Sequence, residues 1–438
     1  MPTMTQTAST TAKRLQNDSG LTHNPSIRRT VLYLERNVDG TIGGSYRSLL
    51  YLVKLLPKDQ FIPIVVFYRE HHLVDEFRKA DCRVIILKYP RAINLVDRFR
   101  VLGGFSPVRG VIKVIQKVLN FAHCSLVLFL RYVYLLKRHR VDLVHLNNGV
   151  MCATELLAAS RLLGVRTVVH QRGIGALPKS FRHVRRLIDH VICVSEAARA
   201  NLIKYGMSPG RCTTVHNGID PEEFKASITR GPREVRKKLG IPEDVPVVGN
   251  AGMIKEWKGQ ISLVRAVERL RAVHPRLFCL IIGGTADQHD KDAAYLKRIR
   301  EYIQEHDLTE CIQILDYQPN IAEFIQIFDI MVHTSKEPEP FSRSVLEGMT
   351  LGRAMVATWT GGTPEAIEDG VSGMLVPPDD PVQLAERIDL LLRRPQLREE
   401  LGKRAEERIR ERFLIQINVD STQRVYERVF DGRACGER

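Results

Sequence analysis

A chain of 438 residues exceeds what one ordinary hydrophobic core supports, so two domains of roughly 200 residues each are expected. Its 44% apolar and 26% charged residues are those of a folded chain and exclude little beyond disorder. The formal charge of +15 admits nucleic acid, an anionic membrane surface or an anionic substrate as partners.

Residues 1–26 are rich in Thr, Ser and Asn and lack an apolar h-region, which predicts a disordered extension rather than a secretory signal. Short apolar runs then alternate with helix-length segments. Strands are predicted at 30–34, 62–67, 83–87, 141–146, 166–170, 190–195 and 212–217, with helices such as 46–56, 151–163 and 196–205 between them. Residues 218–244 carry prolines and charges and interrupt the pattern. It restarts with strands at 246–252, 277–284, 311–315, 330–335, 354–359 and 373–377. The fold class is therefore α/β, two Rossmann-like domains facing each other across a cleft. The division is a 27–220 N-terminal acceptor domain, a 221–245 linker, a 246–412 C-terminal donor domain, and a 413–438 helix free to pack back on the N-terminal domain.

The segment Lys88–Arg140 holds eleven basic residues against Asp97 alone, a local +10. Within 107–140, Val111, Ile112, Val114, Ile115, Val118, Leu119 and Phe121 interleave with Lys113 and Lys117, a helical pattern with a basic rim. An interfacial helix on an anionic bilayer reads this way, and so does a core-packed helix. The uncharged run 118–130 is too short to span a membrane. The eight cysteines are scattered without a C-x-x-C pair, as expected of a reduced cytosolic protein, here peripheral on the inner face of the membrane. Cys193 and Cys279 lie inside apolar runs and read as buried.

Ligands of open parallel sheets sit beyond the carboxyl ends of the strands. Four glycine turns follow predicted strands, at Gly43-Gly44, Gly252, Gly283-Gly284 and Gly361-Gly362. Neither a G-x-G-x-x-G fingerprint nor a Walker-type phosphate loop is present, against a dehydrogenase or kinase. The most informative stretch is EPEPFSRSVLEGM, 337–349. Pro340 is positioned to open a helix with Glu339 just before it and Glu347 two turns inside. The amides of Phe341, Ser342 and Arg343 would then face a diphosphate. By residue type alone, an acid favouring the macrodipole and a solvated Glu347 fit more readily.

These residues resemble the retaining GT-B glycosyltransferases with a Glu-x7-Glu donor motif (family 4 type), which include bacterial lipopolysaccharide, mannosyl and capsule sugar transferases. Glu339 and Glu347 match that motif. GG-x-x-R-S-L-L at 43–50, VSEAARANLIKYG…VHNGID at 194–220, GMIKEWKGQ at 252–260, IIGG at 281–284 and GGTPEAIEDGVSGMLVPPDD at 361–380 resemble its other conserved stretches. The resemblance implies that Lys258 binds the donor diphosphate and that Glu347 holds the ribose. It implies that Glu339, with Gly361, Gly362 and Thr363, holds the sugar, that Gly43 and Gly44 close over the phosphates, and that Gly283 lines the donor site. His170 matches the histidine that reaches the sugar from the opposite domain, although a strand-end histidine alone also fits a structural role. Met253 stands where the family commonly has a second diphosphate cation, for which Lys255 and Arg343 are the candidates.

The implied activity is metal-independent, retaining transfer from a nucleotide-diphosphate sugar, which is substrate rather than cofactor. Its acceptor would be a glycan or lipid-linked acceptor in cell-surface polysaccharide or glycolipid synthesis. No D-x-D pair directly follows a predicted strand. A sugar phosphorylase or epimerase with a similar cleft is the enzymatic rival. A basic nucleic-acid-binding protein fits less well, because the basic stretch lacks aromatic interleaving; no nucleic acid is expected.

Overall fold

The structure is a computed structural model that describes residues 28–36, 44–71, 73–90, 106–285 and 290–432, with backbone alone at 106–113 and 290. The 1–26 extension, Gly43 and the 91–105 part of the basic segment lie outside the described residues.

Two parallel sheets carry the chain. The first joins β1 (Arg29–Leu34), β2 (Phe61–Phe67), β3 (Arg83–Ile86), β4 (Leu143–Leu146), β5 (Arg166–Gln171), β6 (His190–Cys193) and β7 (Cys212–Thr214), in the order β3-β2-β1-β4-β5-β6-β7. The second joins β8 (Val247–Ala251), β9 (Phe278–Ile282), β10 (Ile312–Leu315), β11 (Ile330–His333), β12 (Ala354–Thr358) and β13 (Met374–Val376), in the order β10-β9-β8-β11-β12-β13. All thirteen lie on the apolar runs read from the sequence. They are apolar on both faces because helices cover both faces. Strand order reverses beside β1 and beside β8, and the crevices at these reversals are where such sheets take ligands.

Three elements differ from the expectations. The 221–245 linker is partly helical, with helices Pro221–Ala226 and Pro232–Leu239, each opened by a proline whose missing N–H costs nothing in a first turn. The helix after Glu339 begins only at Arg343 and runs to Thr350. Finally, residues 106–138 form one helix of 33 residues, in which Val114–Arg138 is long and apolar enough to cross a membrane. Counting only uncharged residues stopped at Lys117 and Arg131, whereas the backbone continues through both.

The last helix, Ile415–Phe430, leaves the second sheet and packs on the first. Val419, Val425, Tyr426 and Val429 share a core with Val31, Tyr33 and Val168. The Tyr426 hydroxyl meets His145 Nδ1 at 2.5 Å and Tyr33 Oη at 3.3 Å, so this buried tyrosine is satisfied. Cys193 and Cys279 are fully buried.

Candidate active site

The second sheet contributes most of the charged groups. Lys258 ends a short turn, Glu256–Lys258, that follows β8. Gly259 continues it with φ +68°, where a Cβ would lie 2.3 Å from the Thr334 carbonyl oxygen, so the lysine is set by a turn that only glycine fits. The Lys258 ammonium pairs with the Glu339 carboxylate, and the Trp257 ring centroid lies 4.4 Å from the same nitrogen. Ser335 Oγ donates to Glu339 Oε2 at 3.1 Å, and His333 Nε2 lies 3.6 Å from that oxygen. Burial would raise the Glu339 carboxyl, but Lys258 and His333 hold it down at about 2.

The backbone at Glu339 is gripped by the turn after β12. Gly362 N–H donates to the Glu339 carbonyl at 2.7 Å. A Cβ on Gly361, at φ +56°, would lie 2.1 Å from the Glu339 carbonyl oxygen. The N-cap of the helix is Ser342, in extended backbone, so Pro340 lies before the helix rather than opening it. The free amides at the helix mouth are therefore those of Arg343 and its successors, rather than those of Phe341 to Arg343. Glu347 is half-buried on this helix, and its carboxylate has no partner among the described residues. Thr363 is buried with its hydroxyl unpaired.

Gly283 has a packing role, because a Cβ there would lie 1.9 Å from the Gly252 carbonyl oxygen. Lys255 reaches Asp292, at 3.6 Å. Arg343 instead crosses to the first sheet's side, where its stem occupies the space a Cβ on Gly44 would need and Nη1 lies 3.4 Å from Ser48 Oγ. Of the two candidates to replace the cation missing at Met253, Arg343 is the one that faces the opposite wall.

That opposite wall is a polar network at the carboxyl ends of β1, β4 and β5, which sequence reasoning missed apart from His170. Glu35 follows β1 and accepts from Ser45 Oγ at 2.8 Å, from Asn148 at 2.6 Å and from Asn147. Burial pushes the Glu35 carboxyl up against these bonds and the nearby Arg172. Arg172 donates to Asn147 Oδ1 at 2.9 Å, to Asn217 Oδ1 at 3.0 Å and to His170 Nδ1 at 3.3 Å. Asn217 in turn donates to the Phe341 carbonyl at 3.1 Å, linking the two walls.

An arginine only donates, so His170 Nδ1 is the acceptor and Nε2 carries the proton. Burial, then the Arg172 charge, lowers the His170 pKa well below its ordinary value, leaving a neutral ring. Its Nε2 is buried without a partner. Glu365 fastens the walls elsewhere, accepting from the amides of Glu196 at 2.7 Å and Ala197 at 2.9 Å and lying 2.8 Å from His216 Nε2. The signals for these residues are the polar pairs at strand ends, Asn147-Asn148 directly after β4 and Gln171-Arg172 across the end of β5.

Comparison with known proteins decides the family. The model of glycosyl transferases group 1 matches residues 232–408, and that of glycosyltransferase family 4 matches residues 42–223. The chain belongs to the family 4 glycosyltransferases. It is 29% identical over 245 residues to D-inositol 3-phosphate glycosyltransferase 2 of Catenulispora acidiphila, covering 55% of this chain and 56% of that one. It is 26% identical over 303 residues to spore coat protein SA of Bacillus subtilis, covering 67% and 80%. The chain spans about half the length of the inositol phosphate relatives it matches. Among solved structures, a glycosyltransferase from Rickettsia africae superposes with TM-score 0.75 at 21% identity, over 92% of this chain and 99% of that one. Anabaena HepE in complex with UDP-glucose superposes with TM-score 0.73 at 21% identity, over 91% and 99%. The fold is that of the GT-B glycosyltransferases.

Proposed function

We propose that this chain transfers a sugar, with retention, from a nucleotide-diphosphate sugar to a glycan or lipid-linked acceptor. The observation that carries the reading is the meeting of Lys258, Glu339, the helix mouth at Arg343 and the Gly361–Thr363 turn at the strand-order reversal of the second sheet. Family membership and the UDP-glucose complex of HepE support a nucleotide-sugar donor.

In this reading Lys258 and Arg343, with the amides at the helix mouth, take up the charge that develops on the departing diphosphate. No metal is required by that arrangement. Glu347 binds the ribose, His170 donates from Nε2 to a sugar oxygen, and the Thr363 hydroxyl faces the same sugar. On donor entry Lys258 exchanges part of its contact with Glu339 for the phosphate, which frees Glu339 for sugar hydroxyls. Closure excludes water that would hydrolyse the donor. The acceptor enters along the Glu35–Asn147–Arg172 wall. Cell-surface polysaccharide or glycolipid synthesis, on the cytoplasmic face of a membrane, is the proposed setting.

The test is a product analysis. NMR of the product formed from a nucleotide sugar, with EDTA present, should show the anomeric configuration of the donor. Inversion, or complete loss of turnover with EDTA reversed by Mg²⁺ or Mn²⁺, would overturn the mechanism.

A further inference from the structure

The helix Ser106–Arg138 joins two parallel strands, so it runs back from the carboxyl edge of the first sheet to its amino edge. Tyr132 meets the hydroxyl of Tyr68, one residue past β2. Arg131 donates to the Lys88 carbonyl at 2.6 Å, and Cys124 lies 3.9 Å from the Pro90 carbonyl, both just past β3. By Cys124 the helix has already reached the carboxyl edge. Residues 106–123 run on past it for about 27 Å, on the side of the cleft.

One apolar stripe at heptad spacing runs from Val114 to Leu135, interrupted by Ser125, whose hydroxyl donates to Glu155 at 2.9 Å. Leu128, Tyr132 and Leu135 on this stripe are buried. Val114, Val118 and Phe121 on its continuation are 63%, 61% and 75% exposed. Ile115, Leu119, Leu126 and Leu130 form a second exposed apolar stripe beside it. Lys117, Arg131, Lys137 and Arg138 are exposed along the same helix, and the sequence has no Asp or Glu between 98 and 141.

We propose that the projecting half of this helix lies in the surface of an anionic lipid membrane, with the cleft mouth held at the bilayer. Resting on the transferase reading above, this makes the acceptor a lipid or lipid-linked glycan taken from that bilayer. A second copy is a poor occupant. A coiled-coil seam needs a narrow stripe with complementary flanks, whereas the apolar arc here is wide and self-pairing would bring only like charges together. Spanning is also disfavoured. With the helix packed from Cys124 onward, the mostly exposed stretch 114–123 measures about 15 Å against a core of about 30 Å. Two exposed apolar stripes with basic residues alongside and no acids fit the interfacial geometry.

The experiment is flotation of the full chain with phosphatidylcholine vesicles, with and without phosphatidylglycerol. The wild type should float with the anionic vesicles, less so at high salt. The double variant Val118→Asp with Phe121→Asp should weaken this by about tenfold or more at any salt, and Lys117→Glu should weaken it mainly at low salt. Thermal unfolding and nucleotide binding should be unchanged in these variants, which separates failure of this proposal from failure of the donor-site reading. Absence of vesicle binding, unchanged binding in the double variant, or resistance to alkaline extraction as for a spanning helix would overturn the proposal. So would a dimer in sedimentation that the double variant dissociates.

Discussion

The half-buried Lys258 ammonium and the buried Glu339 carboxylate, 81 residues apart in sequence, form an ion pair in the wall of the cleft. Removing only one partner leaves an uncompensated charge. Lys258→Met should therefore destabilise the chain by about 3–5 kcal/mol, and Glu339→Gln in the same chain should recover most of that loss. Urea unfolding of the two single variants and the double variant measures the coupling. Additive effects would show that the pair does not hold the loop.

The same pair gives a pH dependence. Because the folded-state pKa of Glu339 is depressed to about 2, its stabilisation is fully present above the ordinary carboxylate range and is lost as pH falls from about 4.5 through 2. The difference in unfolding free energy between wild type and Glu339→Gln should shrink over that window, by on the order of 3 kcal/mol. A difference that stays constant from pH 6 to about pH 2.5 contradicts the assignment.

His170 moves in the same direction higher on the scale. A ring buried neutral loses stability as pH falls below about 6.5, where the unfolded chain takes up a proton that the folded chain refuses. Nitrogen-15 shifts of the folded protein should report the Nε2–H tautomer throughout pH 5–8, roughly the range in which a free histidine titrates. Arg172→Lys should disturb that tautomer and lower kcat more than it raises KM. Titration of His170 near pH 6.5 would refute the buried, neutral ring.

Gly361→Ala places a methyl group against the Glu339 carbonyl, at a φ that disfavours side chains. It should cost about 2 kcal/mol or more and shift the Glu339 loop, lowering turnover more than tenfold. Gly240, whose added Cβ meets nothing within 4 Å, provides a control with similarly positive φ, and Gly240→Ala should leave turnover intact.

Much of this architecture is legible in the sequence because buried parallel strands are continuous apolar runs and β-α alternation is periodic. The Lys258 and Glu339 positions are legible too, through the motifs around them. Three features are not, each because it depends on contacts distant in sequence. The start of the helix at Arg343 follows a Glu339 backbone that is bonded to Gly362, in the turn after β12. The role of Glu365 depends on amides at Glu196 and Ala197, on the other side of the cleft. The projecting half of the 106–138 helix shows the same apolar spacing as its buried half, so only the surrounding structure reveals which half is buried.

The most direct test of the account is calorimetric titration of the wild type and of Glu347→Ala with UDP, GDP and ADP. Glu347 has no partner among the described residues, so Glu347→Ala should keep wild-type stability within about 0.5 kcal/mol. The account predicts that one nucleoside diphosphate binds the wild type and that Glu347→Ala weakens it by about 1.5–3 kcal/mol, roughly 10- to 150-fold. Equal affinity in the two proteins, or binding of none of the three to the wild type, would contradict a donor site at this helix.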